Sequence, residues 1–566
     1  MYPARCFRHA VRRIALWVTL VSMGTAFADN SRISPDLQPL LADPSTRVNV
    51  IVQYNSALPL CPPNGLPGGS LCTTVNLLGG VVHVVFSLIN AVAGTMSAGD
   101  VITLSNQPAV SYISLDRSLG ATLDYSAAGV NAPVAWNSGW EGTGVGIAIL
   151  DSGIYSHPDL NSSGTVQSRV VYRKSFIGGV QDDDFGHGTH VAGIAAGNGT
   201  SSNVPRSAHV LRGIAPNANL LDLRVLDRNG ASNDSVVISA IEAAVKLKNR
   251  YNVRVINLSL GRPFYESCAL DPLCESVEAA WKTGIVVVVA AGNLGRNGYA
   301  TVLSPGNSPH AITVGAMKTL ETYTKDDDLI ASYSSKGPTY IDQTVKPDIV
   351  APGNLVVSLL APGSTLATSY PENIISPSYY SSGSPGPAEY FQLSGTSMAT
   401  PVVSGAVALM LQKEPTLSPE TVKARLMKTA SKTFPVSSIA TDPNTGQTYT
   451  SYYDAFTIGA GYTDIAAALA NSDETSWSSV SPGARYDPNS QQGYFVLPLL
   501  SNWRWSPQWS TVSVWGNTVL SNDGTTIWNS SNVWATNAAW GSSIAWGTSI
   551  AWGTSIAWGT GGQGEP

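Results

Sequence analysis

Val145-Gly146-Ile147-Ala148-Ile149-Leu150-Asp151-Ser152-Gly153 sets a short apolar run directly before an aspartate and a turn of small residues. The run does not alternate between polar and apolar positions, so it reads as a strand covered on both faces, the kind that builds parallel sheets. Outward from it the same pattern returns at Leu220 to Leu226, Val255 to Leu260, Ile285 to Ala290 and Ala311 to Gly315. Helical stretches lie between these strands. Ser232, Asn233 and Asp234 offer N-caps for a helix through Lys248, with Val236, Val237, Ala240, Ile241, Ala244 and Val245 on one face. Ser397 to Gln412 is a helix so rich in small and apolar residues that it belongs in the interior. Such alternation predicts a doubly wound α/β domain over residues 121–470, with a mostly parallel sheet and helices on both faces.

In an open sheet of this kind, ligands bind at the carboxyl ends of the strands. Asp151 and Asn293 each follow a strand, whereas His187 and Ser397 each start a helix, and helices begin at the edge where strands end. Four residues distant in sequence therefore converge. Their chemistry is complementary. A serine hydroxyl is a weak nucleophile until a base takes its proton. A neutral imidazole does so near neutral pH, and a buried carboxylate fixes its tautomer and stabilises its protonated form. The helix N-terminus at Ser397 supplies unpaired N–H groups for a developing oxyanion, and the Asn293 amide supplies a second donor.

Asp151-Ser152-Gly153-Ile154, His187-Gly188-Thr189-His190-Val191-Ala192-Gly193, Ala291-Gly292-Asn293 and Gly395-Thr396-Ser397-Met398-Ala399-Thr400-Pro401, in this order, resemble the successive signatures of the subtilases. The resemblance covers residues 125 to 470. It implies a subtilisin-like fold and an endopeptidase that forms an acyl-enzyme on Ser397, with His187 as base, Asp151 as its orienting acid and Asn293 in the oxyanion hole. A Glu-based triad, as in the sedolisins, is excluded by His187. Ser259-Leu260-Gly261 and Ala290-Ala291-Gly292 match the family's substrate-cleft segments, where the backbone pairs with an extended peptide. Leu303 is placed near the floor of the pocket for the residue before the cut. Lys346 to Gly353 resembles a further signature, read as structural. His190 is read as a packing or hydrogen-bonding residue. The chemistry requires no cofactor. Structural calcium occurs in many subtilases, but no site is assignable, and Asp182 to Asp184 and Asp326 to Asp328 are read as solvated acidic loops.

The flanks differ in composition. Arg5, Arg8, Arg12 and Arg13, the apolar run from Ile14 to Met23 and Ala26-Phe27-Ala28 make residues 1–28 an export signal. That run is too short to span a bilayer, which takes about 20 residues. Residues 29–120 read as a small α+β domain: strands at Val48 to Tyr54, Val81 to Phe86 and Val110 to Leu115, and a helix opening at Ser97. It resembles the inhibitory propeptide of the family, with cleavage expected between Arg117 and Ala128. A secreted protein makes the close-spaced pairs Cys61/Cys72 and Cys268/Cys274 disulfide candidates. A Cys-only metal site would need further Cys or His at ligand spacing, and none is present. Two segments, Pro263 to Trp281 and Leu360 to Phe391, read as surface insertions near the cleft.

Residues 471–566 are Trp-rich, and Trp528, Trp534, Trp540, Trp546, Trp552 and Trp558 recur every six residues within a repeat at 528–560. In an extended chain an even period puts them on one face. That face suits a cell-surface or glycan contact, or one with the catalytic domain; a low-complexity tail is the equal alternative. Nucleic acid is excluded as a main partner, because the net charge is -6 and a phosphate reader needs a basic stripe.

Overall fold

A computed structural model of the chain describes residues 30–526, apart from 35–36, 56–79, 87–90, 116–124, 180–181, 204–208, 382–385, 443–445, 488, 490–491 and 517–525. The export signal, Cys61, Cys72, most of the expected cleavage window and the repeat at 528–560 lie outside the described residues. The chain divides into two compact units, Met1–Leu119 and Gly120–Pro566.

The first unit is an antiparallel sheet with one longer helix. Strands β1 (Arg47–Tyr54), β2 (Val81–Phe86), β3 (Ala91–Ser97) and β4 (Val110–Leu115) lie in the order β2-β3-β1-β4. Alternation along β1 turns Val48, Val50 and Val52 into the core. Helix α1 (Ala98–Ser105) starts at a capping box in which Ser97 and Asp100 satisfy each other's backbone N–H groups. Strand β3 is the element that sequence reading misses. Its residues, Ala-Val-Ala-Gly-Thr-Met-Ser, have low strand propensity. Small side chains are what its position demands: at Gly94 a Cβ would lie 2.5 Å from the Val81 carbonyl oxygen on β2.

The second unit is built on an eight-stranded sheet. Its strands are β5 (Gly146–Asp151), β6 (Val170–Ser175), β7 (Asn219–Arg224), β8 (Val253–Leu258), β9 (Val286–Ala290), β10 (Ile312–Lys318), β11 (Leu329–Ile330) and β12 (Ile349–Pro352). The order is β11-β10-β9-β8-β5-β7-β6, with β12 also on β10. Every pairing is parallel except β10 with β11. Every residue of β9 is buried, which requires cover on both faces. Helices α2 (His187–Ala196), α3 (Asp234–Tyr251), α4 (Pro272–Lys282) and α5 (Thr396–Lys413) supply that cover. Helix α2 packs on α5, and α3 packs on α4. Thr396 through Leu411 are all buried, so α5 is a central helix.

The core does not stop at residue 470. Phe495, Trp503, Trp509, Val514 and Trp515 belong to the same hydrophobic cluster as the sheet. A hairpin of β13 (Gly483–Asp487) and β14 (Gln492–Val496) precedes Trp503, Trp509, Val514 and Trp515. The expectation of a surface insertion at Pro263 to Trp281 is corrected in its second half. Residues from Pro272 form α4, which buries Leu273, Cys274, Val277, Ala280 and Trp281 because it covers β9. No helix among the described residues is long and apolar enough to cross a membrane.

Candidate active site

Strand β5 ends on Asp151 and helix α2 begins on His187, and the sheet edge brings the two together. His187 Nδ1 lies 2.8 Å from Asp151 Oδ1, with His187 0% and Asp151 1% exposed. A carboxylate only accepts, so Nδ1 carries the proton and Nε2 is left with a free lone pair. Nε2 is buried and accepts no hydrogen bond in the structure. That is a base ready to receive a proton.

Ser397 is in the first turn of α5. Its hydroxyl donates to the Ser259 carbonyl at 3.1 Å, not to His187. The sequence explains why this turn is held so firmly. Pro401 lies four residues on and has no N–H, so the Ser397 carbonyl lacks its helical partner. The Ser259 hydroxyl takes that place, donating to the Ser397 oxygen at 2.8 Å. Asn257 Nδ2 donates to the Ser259 hydroxyl at 3.0 Å, and Ser404 donates to Asn257 Oδ1 at 2.8 Å. The end of β8 is thereby tied to the start of α5. Ser259→Ala should leave the Ser397 carbonyl and the Asn257 amide unpaired, costing about 1–3 kcal/mol. A guanidinium unfolding midpoint equal to that of the unchanged chain would count against this account.

Asn293 Oδ1 accepts from the Thr396 N–H at 2.9 Å and from the Thr396 hydroxyl at 3.0 Å. A backbone N–H can only donate, so this end of the amide is the oxygen. Nδ2 is turned the other way, beside Gly395, and donates to no group among the described residues. The Ser397 N–H is likewise without a partner there. The two donors expected at an oxyanion hole are both free.

The two expected cleft segments differ. The main chain of Leu260 and Gly261 is paired with nothing among the described residues, leaving an edge for an extended peptide. The main chain of Ala291 and Gly292 is paired. Ala291 N and O bond Val314 and Leu303, and Gly292 N and O bond Thr396 Oγ1 and Ser335. Each of these groups already has one partner, unlike those of Leu260 and Gly261, so Ala291 and Gly292 offer a peptide less free backbone. Leu303 lies between the two segments: Cβ atoms added at Gly261 and Gly292 would lie 3.1 and 2.7 Å from its side chain.

Residues 142–461 match the Subtilase family. Serine protease AprX of Bacillus subtilis (strain 168) is 38% identical over 322 residues, covering 55% of this chain and 67% of that protein. Subtilisin E of the same organism is 35% identical over 357 residues, covering 62% and 78%. An alkaline protease of Alkalihalobacillus alcalophilus is 34% identical over 350 residues, covering 61% and 75%. The chain belongs to the subtilase family.

This subtilase is therefore a serine-type endopeptidase with the α/β subtilisin fold. His190 Nε2 donates to the Val356 and Phe391 carbonyls, at 3.1 and 3.0 Å. Burial and the neighbouring His187 push His190 down to about 3, so it stays neutral. Cys268 and Cys274 are joined, with Cα atoms 5.4 Å apart. Lys346, Asp348 and Lys423 form a fully buried cluster beside β12. Neither acidic run is wholly a solvated loop. Asp328 is buried, and burial with Asp327 and Asp326 nearby pushes its carboxyl up to about 7. Asp183 is buried, and four donors converge on it. Among the described residues no group of three or more His, Cys, Asp or Glu is arranged to hold a metal ion.

What sequence reading missed is the support beneath the motifs. Ser259 was expected as a cleft residue; its hydroxyl also caps the Ser397 carbonyl, which Pro401 leaves without a helical partner. A proline four residues after Ser397 was the available signal.

Proposed function

We propose that this endopeptidase is secreted, is made as a self-processed zymogen, and cuts extended peptides through Asp151, His187, Ser397 and Asn293. The observation that carries the catalytic assignment is the buried His187 imidazole, with Nδ1 held by Asp151 and Nε2 bare. In the reaction the Ser397 hydroxyl turns from the Ser259 carbonyl to Nε2 and attacks the scissile carbonyl as its proton passes to His187. The tetrahedral oxyanion is received by Asn293 Nδ2 and the Ser397 N–H. The imidazolium then protonates the leaving amine, and water releases the acyl group by the same route. No step needs a cofactor. The substrate lies along the unpaired backbone of Leu260 and Gly261, with the side chain before the cut between that edge and the Ala290–Gly292 segment, above Leu303.

Secretion rests on the signal-like residues 1–28. Self-processing rests on the separate N-terminal unit and on the need to keep an exported protease inert inside its own cell. The full chain and Ser397→Ala test both points. The unchanged chain should shed residues up to a cut between 117 and 128 and hydrolyse casein. Ser397→Ala should stay uncut at that window and inert. Identical mass spectra and identical casein hydrolysis for the two forms would overturn the proposal.

A further inference from the structure

Helix α2 presents His187 from an N-terminus that cannot cap itself, because the capping position is Gly186, at φ 99°. The orphan donors of that turn go to Asp183. Its Oδ1 accepts from the Gly186 N–H at 2.7 Å. Its Oδ2 accepts from the Thr189 N–H at 2.8 Å and the Thr189 hydroxyl at 2.6 Å. A fourth donor comes from the other side of the site: the Ser152 hydroxyl, 2.7 Å from Oδ1. Ser152 follows the catalytic aspartate directly. Its N–H donates to Asp151 Oδ1 at 2.8 Å, and its hydroxyl accepts from the Gly188 N–H at 2.9 Å. The Thr189 hydroxyl in turn accepts from the Tyr155 N–H at 2.8 Å.

One buried carboxylate thus ties both ends of the turn after β5 to the first turn of α2. The room is tight. A Cβ at Gly188 would lie 2.2 Å from the Gly153 carbonyl oxygen, so the turn and the helix are in backbone contact. Asp182 and Asp184 on either side are exposed, and Asp184 pairs with Arg224 at 2.8 Å. Asp183 alone of the three turns inward.

We propose that Asp183 is a positioning residue for catalysis, fixing the Asp151 carboxylate relative to the His187 imidazole through Ser152 and the N-terminus of α2. It touches neither substrate nor the reacting atoms. Its effect is on geometry: the Asp151–His187 hydrogen bond joins two elements whose relative placement Asp183 sets, and displacements of about 1 Å at such sites cost up to about 100-fold in rate. An amide in place of the carboxylate would turn one donor group toward the N–H and hydroxyl donors that Asp183 now accepts. The inference rests on the assignment of Asp151, His187 and Ser397.

The test uses the full chain carrying Asp183→Asn, Ser152→Ala or both, with Ser397→Ala alongside. Turnover of a soluble peptide substrate is measured per active site titrated with a fluorophosphonate, and folding is followed by circular dichroism. Asp183→Asn and Ser152→Ala should each lower kcat about tenfold or more, with KM within about twofold, and the double variant should lose less than the product of the two. A structural role alone would lower the number of titratable sites and leave turnover per site unchanged; that result, or unchanged kcat in a folded Asp183→Asn chain, overturns the inference. If Asp183→Asn fails to fold, Ser152→Ala decides by the same criterion. Full activity in Ser397→Ala would instead refute the catalytic assignment itself.

Discussion

Asp151→Asn should lower kcat by about 10⁴-fold, the loss this change brings to a Ser-His-Asp triad, while KM and folding stay near their original values. The geometry leaves the amide no good choice. With its oxygen at the present Oδ1 position it still accepts from the Ser152 N–H and from His187 Nδ1. Its NH2 group then occupies the Oδ2 position, which is buried and without a hydrogen-bond partner. The imidazolium formed during the reaction loses its counter-charge. With the amide reversed, NH2 faces Nδ1 and drives the ring proton to Nε2, so Nε2 no longer carries the lone pair. That orientation also sets NH2 against the Ser152 N–H. Both arrangements retain the fold; the first weakens the base and the second removes it. Steady-state kinetics on a soluble peptide substrate, corrected for titrated sites, measure the change. A kcat within tenfold of the unchanged chain would remove Asp151 from the triad.

The parts of this molecule that were legible in its sequence are those where a local pattern has one physical reading. The run Val286 to Ala290 has no polar position, so it had to be a strand covered on both faces. The face of Val237, Ala240, Ile241 and Ala244 repeats at helical spacing and is buried as expected. Asp151 and His187 stood out because one ends a strand and the other begins a helix, and the structure sets them 2.8 Å apart; Asn293 and Ser397 stood close to such ends. What was illegible depends on partners far away in the chain. Asp183 looks like one member of an exposed acidic run until the Ser152 hydroxyl, 31 positions earlier, is seen to donate to it. Strand β3 carries Ala and Gly because its neighbours leave no room, and no propensity reports a neighbour. The burial of Trp503, Trp509 and Trp515 was hidden by composition: they precede an array of similar tryptophans and read as part of it.

Asp348→Asn should be the most destabilising single change in the catalytic unit, by roughly 3–5 kcal/mol. Asp348 is 1% exposed, and it lies between two lysines that are each 0% exposed. Lys346 Nζ is 2.6 Å from Oδ2 and Lys423 Nζ is 3.1 Å from Oδ1. The Thr313 N–H and the Ser481 hydroxyl complete its shell, at 2.8 and 2.5 Å. Strand β10, the segment leading into β12, the helix Pro419–Thr429 and the segment after residue 470 therefore meet on one charge. Removing that charge leaves two buried ammonium groups facing each other with only carbonyl and hydroxyl oxygens to accept from them. Burial already pushes Lys346 down to about 7, against the attraction of Asp348. The sign of the pH dependence follows. Unfolded, this lysine holds its proton up to about pH 10.4; folded, it releases it near pH 7. Over that interval the unfolded chain binds more protons, so the contribution of Lys346 to stability rises with pH from about 7 to 10.4 and is lost as pH falls toward 7. In Asp348→Asn the lysine loses its attractive partner and its folded value drops further, so the stability deficit grows as pH falls below about 7, where the folded lysine is protonated in the unchanged chain and not in the variant. Guanidinium unfolding at about pH 5.5 and about pH 8.5, in a Ser397→Ala background to prevent self-digestion, measures both effects. The deficit caused by Asp348→Asn should be larger at the lower pH. An equal deficit at both values would mean that removing Asp348 does not move the folded Lys346 value, and that the cluster acts by shape and hydrogen bonding alone.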